Sequence, residues 1–254
     1  MTGSIAGSLA RRDLAALLVA LAGLVAISWW LLSRIAVGMG GMDEAVGISR
    51  WAPADFLVMF GMWMVMMVGM MVPTATRSVL IFTQISARMA ARDRAFVSGY
   101  WFVAGYLLVW AGFSAAATLL QWTLGQFALL SDAMVVSSPK LGSCLLIAAG
   151  IWQLSPIKDA CLSHCRSPLA FLAGNFRPGK LAATYLGTRH GMYCLGCCWL
   201  LMGFLFIGGV MNLLWIAAIA GFVLVEKLLP VGALSTRITG AGMILAGIGY
   251  LVLA

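Results

Sequence analysis

The sequence predicts an all-α, polytopic transmembrane bundle of about seven helices, or six if 192–228 is read differently, with its N-terminus inside. Two observations carry this. First, 63% of the 254 residues are hydrophobic and 9% are charged, where a soluble domain carries roughly 25% charged residues. The mean hydropathy of +1.01 leaves more apolar surface than a soluble fold can cover, and it is the opposite of a disordered composition. Second, the apolar residues fall into segments of about 20, the length that crosses a bilayer core. A collagen, a secreted disulfide scaffold and a nucleic-acid-binding domain are excluded, so the +8 net charge is read as membrane topology first.

The seven segments are 14–33, 54–73, 96–120, 141–157, 192–209, 211–228 and 237–254. The first is flanked by Arg11, Arg12 and Arg34. Its apolar core is too long for a signal-peptide h-region, so it is expected to be an anchor. The second opens near Asp55, an interfacial cap, and ends at Pro73. The fourth is short. The fifth and sixth form one run, which Gly208-Gly209 divides, since paired Gly costs a helix about 2 kcal/mol relative to Ala. Trp29, Trp30, Trp51, Trp110, Trp122 and Trp215 read as an aromatic belt, and Asn212 as a hydrogen-bonding residue between helices.

Thirteen of the sixteen basic residues fall on one side of this scheme. They lie at the N-terminus, in a 74–95 loop, in a 158–191 loop and at Lys227 and Arg237. Arg34, Arg50 and Lys140 are on the other. The positive-inside rule makes the first side cytoplasmic. The chain is then a single integral domain over 1–254 in a bacterial inner membrane, and 158–191 carries part of a site.

Five of the six cysteines form two clusters at the ends of that loop. One is Cys161-Leu162-Ser163-His164-Cys165. The other is Cys194-Leu195-Gly196-Cys197-Cys198, with His190 four residues upstream. The cytoplasm keeps thiols reduced, so disulfides are not expected. Thiolates and imidazoles at short spacing suit a thiophilic metal. Cys194 reads as opening a helix, where the macrodipole favours a thiolate. Cys144 stands alone and reads as packing. The bland alternative, small apolar or palmitoylated cysteines, fits scattered residues better than two tight clusters with His between them.

Seven methionines crowd the second segment. Met62, Met66 and Met70 lie at i, i+4 and i+8, one stripe with Met59 a turn above. Thioethers are soft, uncharged donors suited to Cu(I), although most Met stripes are packing. Met202, a turn past Cys198, extends the same path. Glu226 and Lys227 read as an interfacial flank with a local ion pair, or as a functional carboxylate. No phosphate loop, nucleophile elbow or paired-carboxylate site is present, so neither a hydrolase nor an ATP-driven pump is expected.

Three motifs also carry a family resemblance spanning roughly 50–250. They are Met62-Trp63-Met64-Val65-Met66-Met67 with Met70-Met71-Val72-Pro73; Cys161-x-x-His164-Cys165-Arg166-x-Pro168; and Gly191-x-x-Cys194-x-Gly196-Cys197-Cys198-Trp199-x-x-Met202, followed by Gly209-Val210-Met211-Asn212 and Glu226-Lys227-x-x-Pro230. In this order they resemble a bacterial domain-of-unknown-function family described as predicted metal-binding integral membrane proteins. The resemblance implies metal binding and no particular reaction.

The expected function is therefore binding or movement of a soft metal, copper(I) first, with zinc or iron as alternatives. The expected ligands are Cys161, His164, Cys165, His190, Cys194, Cys197, Cys198, Met62, Met66, Met70 and Met202. The expected partners are the lipid bilayer and either other membrane subunits or a metal chaperone. Two other readings stay open. One is a membrane thiol-disulfide oxidoreductase using Cys194 and Cys197, against which Cys144 offers no outer dithiol. The other is a non-catalytic accessory subunit stapled by a structural metal.

Overall fold

A computed structural model of the chain describes residues 2–39, 51–92, 96–131, 134–229 and 233–253. Arg50, Arg94 and Pro230 lie outside these residues. The elements are α1 (Thr2–Met39), α2 (Pro53–Ala90), α3 (Gly99–Gln126), α4 (Pro139–Gln153), α5 (Pro156–Arg166), α6 (Pro168–Asn175), α7 (Lys180–Gly203), α8 (Leu205–Gly208), α9 (Leu213–Leu228) and α10 (Ala233–Leu253). The all-α expectation holds among the described residues.

Helix starts follow local chemistry. Pro stands at the first helical position of α2, α4, α5 and α6, where its missing N–H has no helical partner to lose. Ser98, Ser155 and Asn212 cap α3, α5 and α9 by accepting from backbone N–H groups. Asp55 accepts from the Ala52 N–H at 2.7 Å, as a cap should. Asn212 is spent on this local cap and on the Gly208 carbonyl, rather than on a neighbouring helix.

Three sequence expectations are corrected. Helix α2 does not end at Pro73; it runs on to Ala90, about 57 Å at 1.5 Å per residue. Proline deprives a helix of one N–H and crowds the carbonyl four residues back, here that of Gly69. Neighbouring carbonyls find other donors. Thr74 donates to Met71 at 2.8 Å, Thr76 to Val72 at 3.1 Å, and Tyr106 of α3 to Met71 at 3.0 Å. The 158–191 stretch is also no loop. Ser155-Pro156 and Ser167-Pro168 start two short helices, and α7 begins at Lys180 after Gly179, whose φ is +120°. Cys194 therefore lies mid-helix, about 21 Å beyond the start of α7, where the terminal dipole no longer acts.

Among the described residues, five helices are long and apolar enough to cross a membrane: α1, α2, α3, α7 continued into α8, and α10. The α4–α5 pair, bent by 65°, would make a sixth as a broken span or re-entrant loop. Helix α9 has 16 residues, short of the roughly 20 that a bilayer core needs. The structure thus supports five or six spans where the sequence suggested about seven. The break at Gly208-Gly209 is present, with Gly209 at φ +95°.

Helices α3 and α7 pack backbone against backbone. A Cβ on Gly105 would strike the Thr184 carbonyl, and one on Gly187 the Phe102 carbonyl. Glycine at both places lets the two backbones touch. The core between α2, α3, α7 and α9 holds Trp63, Trp110 and Tyr106 with the methionines of α2 and the cysteines of α7. Trp110 is fully buried, so it is core rather than aromatic belt. Cys144 is exposed on α4 and packs into no core.

Candidate metal centre

Helix α7 presents His190, Cys194, Cys197, Cys198, Leu201 and Met202 at spacings of three and four, which places them on one buried face. The sulfur of Cys194 is the hub. Lys227 Nζ of α9 donates to it at 2.9 Å and reaches Cys198 Sγ at 3.6 Å. Tyr106 Oη lies 3.0 Å from the same sulfur, and Thr74 Oγ1 lies 4.0 Å away. The Cys197 and Cys198 thiols both donate to the Cys194 carbonyl at 3.0 Å.

The first cluster reaches this point on α5. Lys158, Cys161 and Cys165 share one face of that helix at i, i+3 and i+7. Cys165 is buried in the same cluster as Cys194, Cys197 and Cys198. Cys161 is half-buried where α5 crosses α7; its Sγ would sit 3.0 Å from a Cβ on Gly196. Only glycine leaves that sulfur its place. The two clusters, distant in sequence, adjoin.

What docks α5 is a buried charge network. Lys158 Nζ is 2.7 and 2.8 Å from the two Glu226 carboxylate oxygens and also donates to Gln153 Oε1. Gln153 Nε2 donates to Glu226 at 2.6 Å, and Arg166 Nε donates to the Glu226 carbonyl at 2.9 Å. Glu226 and Lys227 are therefore not an interfacial flank paired with each other. Both are buried; Glu226 holds α5, and Lys227 faces the thiols.

The histidines part company. His190 is buried among Phe102, Tyr106 and Phe171, and its Nδ1 has no hydrogen-bond partner. His164 turns instead to Tyr193, stacked at 4.1 Å with the rings 8° apart, and its Nδ1 is 2.8 Å from the Ala160 carbonyl. Met62, Met66, Met67, Met70, Met71 and Met202 are buried in the same cluster as Cys165, Cys194, Cys197 and Cys198. The expected stripe does face inward, and Met67 and Met71 join it.

Among the described residues, no three His, Cys, Asp or Glu side chains are already arrayed around one metal position. The thiols of Cys165, Cys194, Cys197 and Cys198 share one buried cluster, and two of them donate to the Cys194 carbonyl. They form a compact, soft and buried donor group with a single ammonium against it. Sequence reasoning missed Lys227 as a thiol partner, took Lys158 for a basic loop residue, and missed Tyr106 altogether. Charges within an apolar stretch were a usable signal for Lys227, whereas Tyr106 offered none.

Residues 60–250 match a family model, PpoB2, described as copper chaperone. No curated protein and no solved structure matches the chain.

Proposed function

The chain belongs to the PpoB2 copper chaperone family, and on that premise we propose that it is a membrane-embedded carrier of copper(I). The cargo binds Cys194 with Cys165, Cys197 or Cys198 as second sulfur. The methionines of α2 and Met202 serve as the soft route to it. The observation that carries this reading is the burial of Cys165, Cys194, Cys197 and Cys198 in one cluster, with Lys227 donating to the Cys194 sulfur.

Charge supports the assignment. Copper(I) on two thiolates carries one net negative charge, and the Lys227 ammonium brings the assembly to neutrality. A neutral assembly is what a buried, apolar site tolerates. Once Cys197 or Cys198 loses its proton it can no longer donate to the Cys194 carbonyl, and its sulfur is released toward the metal. His190 Nδ1, unpartnered and a turn from Cys194, supplies a further donor. His164, held by Tyr193, is the weakest of the expected ligands. Zinc sites draw on Cys, His and carboxylates and would leave the buried thioethers without a role. Thiol-disulfide exchange needs an accessible attacking sulfur, and Cys194, Cys197 and Cys198 are buried.

The test is elemental analysis of the purified chain loaded with copper(I), zinc(II) or iron(II). Copper is expected to be retained, and Cys194→Ser with Cys197→Ser should remove most of it. Equal copper in that variant, or retention of zinc instead, would refute the assignment. We further propose that the membrane is a bacterial inner membrane, with α5, α6 and the start of α7 at its cytoplasmic face. In a Cys144→Ala background, a Pro178→Cys probe should then label only from the inside; labelling of residue 178 from outside would reverse the topology.

A further inference from the structure

We propose a second soft-cation site at the far end of α2, in which Met59 and Met134 offer thioethers around the Gln121 amide. It rests on the copper reading above and gives the cargo a place of reception.

Gln121 is buried on α3. Its Nε2 lies 3.2 Å from Met134 Sδ and 3.7 Å from Met59 Sδ. Its Oε1 accepts from Trp63 Nε1 at 2.7 Å. Indole only donates, so Trp63 fixes the amide with its NH2 toward the sulfurs. A thioether is a weak acceptor, and a buried amide gains little from two of them. Two sulfurs flanking one nitrogen form a soft donor pair that a monovalent soft cation uses better than an N–H does.

The backbone supports the same placement. Met134 has φ +55°, a left-handed conformation that side chains other than Gly and Asn seldom adopt. The turn that carries it is tied at several points. Ser131 N donates to the Val135 carbonyl and Met134 N to the Ser131 carbonyl, both at 2.8 Å. Ser137 N donates to the Leu129 carbonyl at 2.9 Å, and Val136 N to the Phe206 carbonyl of α8 at 2.8 Å. An unfavourable conformation held this firmly delivers one specific side chain, the Met134 thioether.

The site is also in the right place. Met59 and Met134 are half-buried, reachable from outside, whereas the thiols of Cys165, Cys194, Cys197 and Cys198 are buried. Met59 and Met71 are twelve residues apart on α2, about 18 Å. The buried Met62, Met66 and Met70 fill that interval at steps of about 5–6 Å. At the end of it, the Met71 backbone carbonyl and the Cys194 sulfur share the Tyr106 hydroxyl.

Silver(I), a redox-inert soft cation, is the probe, and peroxide footprinting of the full-length chain in detergent is the readout. Peroxide converts accessible Met to sulfoxide. Silver is expected to slow oxidation of Met59 and Met134 together, several-fold, in the parent and equally in the Cys194→Ser/Cys197→Ser variant. Met134→Leu should abolish the protection at Met59. Unchanged oxidation of both residues with silver, or protection of Met59 that survives Met134→Leu, overturns the site. If Met134→Leu fails to fold, the parent footprint alone decides. Protection here with no copper on the thiols would refute the carrier reading and leave this site standing; copper on the thiols with no protection here would do the reverse.

Discussion

Removing both members of the Lys158–Glu226 pair should cost clearly less than the two single removals added together. The pair is 2.7 Å apart, with side chains 0% and 6% exposed. At an effective dielectric constant of about 20 its gross attraction is about 6 kcal/mol. That attraction offsets two burial penalties and a third, smaller cost. Lys158 sits in the first turn of α5, the end of a helix dipole that disfavours a cation by roughly 0.3–1 kcal/mol. In Glu226→Gln the ammonium keeps only neutral partners; in Lys158→Met the carboxylate keeps only Gln153. Each single variant is expected to lose about 3–5 kcal/mol. The double variant Lys158→Met/Glu226→Gln should fall short of the sum by about 2–3 kcal/mol. The assay is a denaturant titration of the four proteins in detergent, followed by copper content, since α5 brings Cys165 to the thiols. Single losses below about 1 kcal/mol, the range of a solvated pair, would refute the reasoning. So would a double variant whose loss equals the sum.

Two further outcomes follow from the packing. Met66→Leu with Met70→Leu should cost under about 1.5 kcal/mol, because Leu conserves volume, and should slow the arrival of copper at the thiols in stopped-flow loading; loading at the parent rate would make these methionines core alone. Gly187→Ala should abolish folded protein in size-exclusion profiles, because its Cβ meets the Phe102 carbonyl, whereas Gly112→Ala meets nothing within 4 Å and should be neutral or stabilising by up to about 1 kcal/mol. Equal behaviour of the two alanines would deny the close α3–α7 contact.

The legible parts of this molecule were those written in local pattern. The 3.6-residue spacing of Met62, Met66 and Met70 announced their buried face, and two tight Cys clusters announced their convergence. Asp55 and Gly208-Gly209 marked a helix start and a break by chemistry that works within a few residues. Other features depended on partners far along the chain. Pro73 looked like an end because the donors that quiet its neighbourhood include Tyr106, over thirty residues away. Lys158 and Lys227 looked like solvated flanks because Glu226 and the thiols are near them only after folding. Trp110 carries no mark that separates a core indole from an interfacial one. Charges at Lys180 and Arg189 suggested a loop, yet they lie on the first turns of a helix that continues well beyond its apolar stretch.

The glycine contact between α3 and α7 has a kinetic consequence. Two helices whose backbones touch at Gly105 and Gly187 move as one body, and Tyr106, Cys194, Cys197 and Cys198 all ride on it. Cys161 and Cys165 ride on a separate piece, the short α5 beyond the 65° bend. On the proposed carrier reading, exchange of cargo is expected to proceed like the opening of a jaw with one fixed and one moving side. Cys161, the half-buried sulfur on the moving side, is then the first that an incoming acceptor would touch. The rate of handover would be governed by how fast α5 lifts, whatever the strength of the sulfur–metal bonds behind it.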